Sequence, residues 1–395
     1  MLDVCYIRYG LLMRVANPFT PGFNQAPAVL AGRSDVIAAM EEAFKVAALD
    51  GRTPRPILLT GSRGVGKTVL LEEARRIAAQ QHSWVHASVE VPPGRAFTPS
   101  LVARLEGAKR AYEQAPDDQG GWRVGKATFK ASVAGAGGEA ELTRRASGAG
   151  SEQKEELAAA FETAMAAAET VTAGLLVTVD EVHLATKDEL ATLAALLQGA
   201  VTSRWPLVTV LAGLPSMQDP RRMVTYLERG EWHTLGLLSE DDTRQAIAEP
   251  ARNAGRPMDL DAADLLTTSS GGYPYAIQVL GHHTWRASHG ADRITLAHAR
   301  SGDQAAQRDM ADGLYSTRWK DASDREQNYL AALARLLTAG AQPVGADVAR
   351  ELGQAPEAVT YLRARLLRKG TIYTDGRVLR FEVPGMARWI MAGQG

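Results

Sequence analysis

Residues 61–68 have the sequence Gly61-Ser62-Arg63-Gly64-Val65-Gly66-Lys67-Thr68, which matches the phosphate-loop pattern G-x-x-x-x-G-K-[ST] in full. The loop follows an apolar run that ends at Thr60, and helical periodicity follows it over residues 67–80, so the strand–loop–helix context is present. The glycines let the backbone curl so that its N–H groups point at phosphate oxygens, and the helix N-terminus adds positive potential. Lys67 is predicted to contact the β- and γ-phosphates of ATP, and the Thr68 hydroxyl to coordinate Mg²⁺.

A second apolar run, Leu175–Val179, ends in the acidic pair Asp180-Glu181. If this run is a buried parallel strand, Asp180 lies at its carboxyl end, beside the phosphate loop, where it can hold Mg²⁺ through water. Glu181 is then placed to act as the general base that polarises the attacking water. The alternative is that both acids only begin the next helix. We interpret the nearby His183 as a local structural residue.

Short apolar runs alternate with helical periodicity through the first two thirds of the chain. Further strands are predicted over residues 84–91 and 207–211, with helices over 100–113 and 187–202. This alternation favours an α/β fold in which a parallel sheet lies between helices, as in P-loop NTPases. A Gly-rich insertion near 115–151 interrupts the pattern; a hairpin is predicted inside it, formed by 129–133 and 139–142.

Composition excludes several classes of protein. The formal net charge is −1, so any contact with nucleic acid must come from a local basic patch. One cysteine excludes a disulfide framework and a Cys-rich zinc site. No run approaches the roughly 20 apolar residues of a membrane helix, and the N-terminal stretch is a poor secretory signal, so a cytoplasmic protein without membrane contact is expected. Met13 is an alternative start to Met1.

These motifs resemble those of the AAA+ ATPases, and more narrowly the origin-recognition-type and STAND branch, from about residue 28 onward. Gly32-Arg33 is similar to the family's Gly-Arg element, which implies that Arg33 lies near the nucleotide base. Arg229 resembles the arginine that reaches the γ-phosphate of a neighbouring subunit. The alternative is a solvated arginine at a helix end, with Arg221 and Arg222 as nearby substitutes.

Two positions depart from the family pattern. Ala212 and Gly213 stand where the family often has a polar residue that positions water. Pro274, in Ser270-Gly-Gly-Tyr-Pro274, stands where initiator ATPases carry the sensor-2 arginine, and a similar proline lies beside the base in STAND ATPases. The missing positive charge implies slow hydrolysis and switch-like behaviour. The alternative is that this segment only breaks two helices.

The C-terminal residues 316–395 show the element order of a winged helix. Helices are predicted over 325–338, 344–353 and 356–369, followed by a hairpin that turns at Asp375-Gly376. Seven basic and three acidic residues lie between 356 and 395, which suits a recognition helix in a DNA groove. The predicted DNA-binding residues are Arg363, Arg365, Arg368, Lys369 and Arg377. The alternative is a protein-docking or autoinhibitory module.

The predicted organisation is a strap over 1–27, an ATPase core over 28–237, a helical lid over 238–315 and the winged helix. The favoured function is an ATP- and Mg²⁺-binding switch that hydrolyses ATP slowly. Its ATP or ADP state would control engagement of duplex DNA, of itself as a nucleotide-dependent homo-oligomer, or of another protein. Two rivals are a STAND-type signalling or defence switch whose winged helix docks on the ATPase core, and a non-hydrolysing ATP-binding scaffold.

Overall fold

The computed structural model describes residues 16–22, 25–114, 149–218 and 223–393. The chain divides into two compact units: Arg33–Leu237 with Arg318–Gly395, and Met1–Gly32 with Leu238–Thr317. The C-terminal residues therefore belong to the same unit as the phosphate loop. The predicted hairpin over 129–133 and 139–142, and most of the predicted insertion, lie outside the described residues.

The first unit contains a five-stranded parallel sheet with the strand order β2-β3-β4-β1-β5. Every residue of β1 and β4 is buried, which explains their nearly continuous apolar sequences. The two acids predicted beside the loop lie at the end of β3, the strand two places from β1: Asp180 is its last residue and Glu181 follows it. The strands are β1 (Ile57–Gly61), β2 (Val85–Glu90), β3 (Leu175–Asp180), β4 (Leu207–Gly213) and β5 (Glu231–Leu235).

Helices cover both faces of this sheet, as the strand–helix alternation predicts. One face packs on Met40, Phe44 and Leu70; the other packs on Leu101 and Phe161. Two fully buried clusters therefore enclose the sheet and confirm the α/β fold. The helices of this part are α1 (Ser34–Asp50), α2 (Lys67–Gln81), α3 (Thr98–Glu113), α4 (Ala149–Thr170), α5 (Lys187–Thr202) and α6 (Thr225–Glu228).

The edge strand β5 has no counterpart in the sequence prediction. Its sequence, Glu-Trp-His-Thr-Leu, has no apolar run, and of its five residues only Leu235 is fully buried. The strand pairs with β1 along its whole length, from Ile57 opposite Glu231 to Gly61 opposite Leu235. Backbone pairing at a half-solvated edge leaves little signal in the side chains.

The C-terminal residues form helices followed by an antiparallel hairpin, in the predicted order. The hairpin pairs Ile372 with Phe381 and Asp375 with Val378, so it turns at Gly376-Arg377, one residue later than predicted. A further short helix, absent from the sequence prediction, follows it. The elements are α11 (Ser316–Lys320), α12 (Asp324–Thr338), α13 (Gly345–Glu351), α14 (Pro356–Arg368), β6 (Ile372–Asp375), β7 (Val378–Phe381) and α15 (Met386–Gly393).

The second unit is helical and holds part of the predicted strap. Phe19 is fully buried against Gly281, where a Cβ atom would overlap its ring, so glycine is required at that crossing. The helical lid predicted over 238–315 is interrupted over residues 288–295, where Ile294 forms a bridge with Met258. The helices are α7 (Glu240–Asn253), α8 (Leu260–Ser270), α9 (Pro274–Ala287) and α10 (Leu296–Met310).

Across the described ranges, no helix is long and apolar enough to cross a membrane.

Candidate functional site

The phosphate loop joins the carboxyl end of β1 to the first turn of α2. Gly64 and Gly66 have φ angles of +79° and +98°, in the region that favours glycine. Lys67 begins α2 and is 6% exposed. Its Nζ donates to the carbonyl oxygens of Gly61 at 2.8 Å and Ser62 at 2.5 Å. The ammonium is therefore held inside the loop that its own backbone forms.

Burial is the main influence on the Lys67 ammonium, and it lowers the pKa of Lys67 below its ordinary value. The carboxylates of Glu181, Asp180 and Glu382 oppose this shift. An anion bound at the loop would act in the same direction as these carboxylates, because a nearby negative charge favours the charged amine. Keeping Lys67 charged in this buried position therefore costs free energy, and a bound phosphate would offset that cost.

The structure brings Thr68 and Asp180 into direct contact. The Thr68 hydroxyl donates to Asp180 Oδ2 at 2.6 Å, and the backbone N–H of Glu181 donates to Asp180 Oδ1 at 2.8 Å. A hydroxyl and a carboxylate are oxygen donors of the kind that Mg²⁺ prefers, with phosphate oxygens completing its shell. In the described part of the chain, no group of three or more His, Cys, Asp or Glu forms an all-protein metal site. The residues present therefore fit Mg²⁺ bound together with a nucleotide.

Glu181 has an unusual backbone for a residue with a side chain. Its φ of +53° and ψ of +32° lie in the left-handed region, which costs about 1–3 kcal/mol in a non-glycine residue. Burial, followed by the negative charge of Asp180, raises the pKa of the Glu181 carboxyl. A raised pKa moves a carboxylate toward the range in which it is an effective general base at neutral pH.

His183 lies between Glu181 and the end of β4. Its ring is buried, and its Nδ1 lies 3.2 Å from Glu181 Oε2 and accepts the backbone N–H of Leu214 at 3.3 Å. A Cβ atom on Gly213 would approach the backbone nitrogen of His183 at 3.1 Å. Met217 Sδ would be equally close and the imidazole Nδ1 would be 3.5 Å away, so both residues limit the space at the strand tip where the family pattern places a polar side chain on β4.

The Arg33 side chain contacts the phosphate loop at a backbone carbonyl of the loop. One terminal guanidinium nitrogen donates to the Val65 carbonyl at 3.2 Å and to the Gly236 carbonyl at 2.8 Å. These bonds connect the start of α1, the loop and the segment after β5. Arg33 is thus next to the predicted nucleotide site, and its proposed contact with the base stays a prediction.

Arg229 lies on the other edge of the sheet. It is exposed and ends α6, two residues before β5 begins. Because β5 runs parallel to β1, with Glu231 opposite Ile57, this position is at the amino edge, whereas the phosphate loop is at the carboxyl edge. Arg229 therefore lies away from the phosphate loop of its own chain. The alternatives Arg221 and Arg222 lie outside the described residues.

Pro274 belongs to the helical unit, where it is the first residue of α9. Gly271 and Gly272 precede it with φ angles of +56° and +73°, so the segment ends α8 and starts the next helix. Proline is well suited to this position, since its missing N–H would be unpaired there anyway. The helix break is therefore observed, and a contact with nucleotide stays a prediction.

The predicted DNA-binding residues are divided between solvent and internal contacts. Arg365, Arg368 and Arg377 are exposed, and Arg363 is half-buried. Lys369 donates to the buried Glu326 at 3.0 Å and to the Asp321 carbonyl at 2.6 Å. Arg365 Nε also lies 3.1 Å from a Glu326 oxygen. Two of the five basic residues thus take part in holding the C-terminal helices together.

Sequence reasoning overlooked one residue at the phosphate loop. Glu382 is 3% exposed and accepts a hydrogen bond from the Arg63 backbone N–H at 2.7 Å. The two residues are 319 positions apart, and Glu382 occupies an ordinary place between two apolar residues after β7. Only tertiary structure brings it to the loop.

Comparisons with known proteins agree with this geometry. Residues 29–210 match the AAA ATPase domain family, and residues 312–390 match a domain of unknown function. The ORC2 protein of Aeropyrum pernix, solved in ADPNP–ADP complexes, gives a TM-score of 0.61 at 14% identity, covering 94% of this chain and 95% of that chain. A Walker-type ATPase of Pyrococcus abyssi gives 0.55 at 15%, covering 92% and 96%. No curated protein matches significantly.

At these identities the solved structures show a shared fold, and the family match concerns the first half of the chain. The matched residues hold the complete phosphate loop, Asp180 and Glu181 at the end of β3, and strands β1 to β3 of the parallel sheet. The sheet order, the loop and the matched family agree on one class: residues 29–210 match the AAA ATPase domain family, and the chain has the α/β P-loop NTPase fold seen in the ORC2 protein.

Proposed function

We propose that this protein is a Mg²⁺-dependent ATPase that acts as a slow nucleotide switch, and that its ATP or ADP state controls what its C-terminal residues 316–393 engage. The observation that carries the proposal is the convergence of Lys67, Thr68, Asp180 and Glu181 at the carboxyl edge of one parallel sheet. This edge is where α/β proteins bind ligands.

Each of these side chains has a distinct task in the proposed reaction. Lys67 offers a buried ammonium to the β- and γ-phosphates, and Thr68 and Asp180 would hold Mg²⁺, which neutralises phosphate charge when bound. Glu181 accepts a proton from the water that attacks the γ-phosphate, and its raised pKa suits that task. The buried His183 ring lies next to Glu181 and limits the room around its carboxyl group.

Three features support slow turnover. Gly213 leaves no side chain at the tip of β4 to position water, and His183 and Met217 lie close to where one would stand. Pro274 stands in place of a positively charged residue, so one source of transition-state stabilisation is missing. Arg229 lies at the sheet edge opposite to its own loop. A single chain thus supplies few charges to the transferring phosphate.

The decisive test is the variant Lys67→Ala. Removing the ammonium leaves the phosphates with the backbone N–H groups alone, so ATP affinity should fall by at least about a hundredfold, about 2.7 kcal/mol. Isothermal titration calorimetry with MgATP measures the loss, and an unchanged melting temperature shows that the fold survives. ATP binding equal to that of the parent protein would refute the site.

A second candidate function is DNA binding through the C-terminal residues, which we propose form a winged helix. The observation that favours it is the exposure of Arg365 and Arg368 on α14 and of Arg377 at the hairpin tip. A helix followed by a basic hairpin is the arrangement that places one element in a groove and the other on phosphate. Binding to duplex DNA with ATP, and then with ADP, tests whether nucleotide controls it.

A further inference from the structure

Glu382 is an acidic residue built into the phosphate loop of its own unit. Its Oε1 accepts the Arg63 N–H at 2.7 Å, and the Ser62 hydroxyl also hydrogen-bonds to its carboxyl group. The backbone N–H of Glu382 donates to the Thr371 carbonyl at 3.1 Å, which fixes the residue to the turn after α14. Hydrogen-bond donors of the loop therefore already have an anionic partner within the chain.

The turn after α14 makes a second contact with the same surface. A Cβ atom on Gly370 would lie 3.3 Å from a Leu214 methyl carbon and 3.8 Å from Arg63 Nε. Arg318 donates to the Gly370 carbonyl at 3.0 Å, and its positive charge also favours ionised Glu382. Residues 370–383 thus pack on the loop and on the end of β4 at two points.

The charges at this contact resemble those expected with a bound phosphate. Burial raises the pKa of Glu382, whereas the Arg63 N–H and the Lys67 ammonium act in the opposite direction. Lys67 in turn interacts with the carboxylates of Glu181, Asp180 and Glu382. The same backbone N–H and the same ammonium would serve a phosphate oxygen, since both anions accept charge-assisted hydrogen bonds.

We propose that Glu382 is an internal competitor for the phosphates of ATP. Its carboxylate occupies the Arg63 N–H in place of a phosphate oxygen, so binding of the triphosphate displaces residues 370–383 from the loop. Two anions at one desolvated position repel each other, and each favours the state in which the other is absent. The inference rests on the proposed ATP binding and adds how the C-terminal residues respond to it.

The variant Glu382→Gln tests the competition. The amide keeps the shape of the side chain and can still accept the Arg63 N–H, but it carries no charge. MgATP should bind about tenfold more tightly than to the parent, which corresponds to about 1.4 kcal/mol. Glu357→Gln, at an exposed site on α14, is the matched control and should leave the affinity unchanged. Equal ATP affinities of Glu382→Gln and the parent would overturn the inference while leaving ATP binding intact.

Hydrogen exchange tests the contact first without nucleotide and then with it. In the nucleotide-free protein, Glu382→Ala should speed exchange of peptides that contain the Arg63 amide, at an otherwise unchanged melting temperature. In the parent, MgATP should speed exchange over residues 371–383, whereas Lys67→Ala should show no such response. Unchanged Arg63 exchange in Glu382→Ala would refute the contact itself. If neither the parent nor Glu382→Gln binds ATP, the proposed function fails, and the competition with it.

Discussion

At the scale of single residues, Glu181 combines a strained backbone with a carboxyl group whose pKa is raised. Its left-handed conformation directs the side chain toward His183 rather than letting it continue the extended strand. Such strain persists only where surrounding structure holds it, here through the Asp180 side chain that accepts the Glu181 N–H. A residue held in this way is a good candidate for the general base, and two measurements can test that role.

Glu181→Gln should bind MgATP as the parent does but lose turnover by about a hundredfold or more, the usual contribution of a general base. The amide is nearly isosteric and cannot accept a proton from water. Single-turnover hydrolysis of radiolabelled ATP measures the loss, and calorimetry checks that affinity is kept. A variant that hydrolyses ATP at the parental rate would assign the base to another residue.

The pH dependence of turnover should report the raised pKa of Glu181. A carboxyl with a raised pKa takes up its proton at a higher pH, so turnover should decline, as the pH is lowered, before it reaches the pKa of about 4.3 of an ordinary glutamate. The acid limb of kcat in the parent gives the midpoint. An acid limb with its midpoint at or below the pKa of an ordinary glutamate would contradict this assignment.

At the scale of elements, a buried carboxylate joins α12 to the end of α14. Glu326 is fully buried and accepts the backbone N–H of Ser323 at 2.8 Å and the Lys369 ammonium at 3.0 Å. Burial alone would raise the pKa of Glu326, but the Ser323 and Lys369 hydrogen bonds together lower it. The carboxylate therefore contributes stability at neutral pH that is lost as the pH falls through the lowered pKa.

Glu326→Gln should reduce the free energy of unfolding by about 2 kcal/mol at neutral pH, because it removes charged hydrogen bonds and leaves Lys369 without its buried partner. Urea denaturation of both proteins measures the difference. The difference should shrink below the lowered pKa, where the parent carboxyl is itself protonated. Glu357→Gln, on an exposed position, should change stability by less than about 0.5 kcal/mol; an equal loss there would contradict the role of burial.

The basic surface of α14 and the hairpin carries the second prediction at this scale. Because Arg365 and Lys369 pair with Glu326, Arg368 and Arg377 are the cleaner test of DNA binding. Arg368→Ala with Arg377→Ala should shrink the log–log salt slope of duplex binding by about one for each phosphate that is no longer neutralised. ATP affinity should be unchanged, and Arg252→Ala, exposed in the other unit, is the control. An unchanged slope would favour protein docking over DNA binding.

At the scale of the whole molecule, the sequence is most informative where function and packing require a fixed local pattern. The phosphate loop, the acids after β3 and the buried strands each show such a pattern, because a loop motif or an apolar run is needed at one place in the chain. β5 shows none, since backbone pairing with β1 holds its half-solvated residues in place. Glu382 shows none either: it is a single acid whose partner is 319 positions away.

The division into two units also bears on what sequence can show. Strand and helix patterns place the C-terminal elements after the lid, and adjacency in the chain suggests that they form a body of their own. The structure groups residues 318–395 in one compact unit with the ATPase sheet, through contacts such as that between Gly370 and Leu214. Such grouping depends on complementary surfaces, and no local periodicity reports it.

The placement of Arg229 at the amino edge of the sheet has a consequence for kinetic order. The five residues of β5 separate it from the carboxyl edge by about 17 Å at about 3.3 Å per residue, so a lone chain cannot bring Arg229 to its own phosphates. If Arg229 completes hydrolysis, each catalytic event needs two chains, and specific activity should rise with protein concentration before reaching a plateau. When the variants Arg229→Ala and Lys67→Ala are mixed, ATPase activity should be restored. The first variant supplies an intact nucleotide site, and the second supplies the arginine that reaches it. Specific activity that is independent of concentration would show that the arginine is only a solvated helix end.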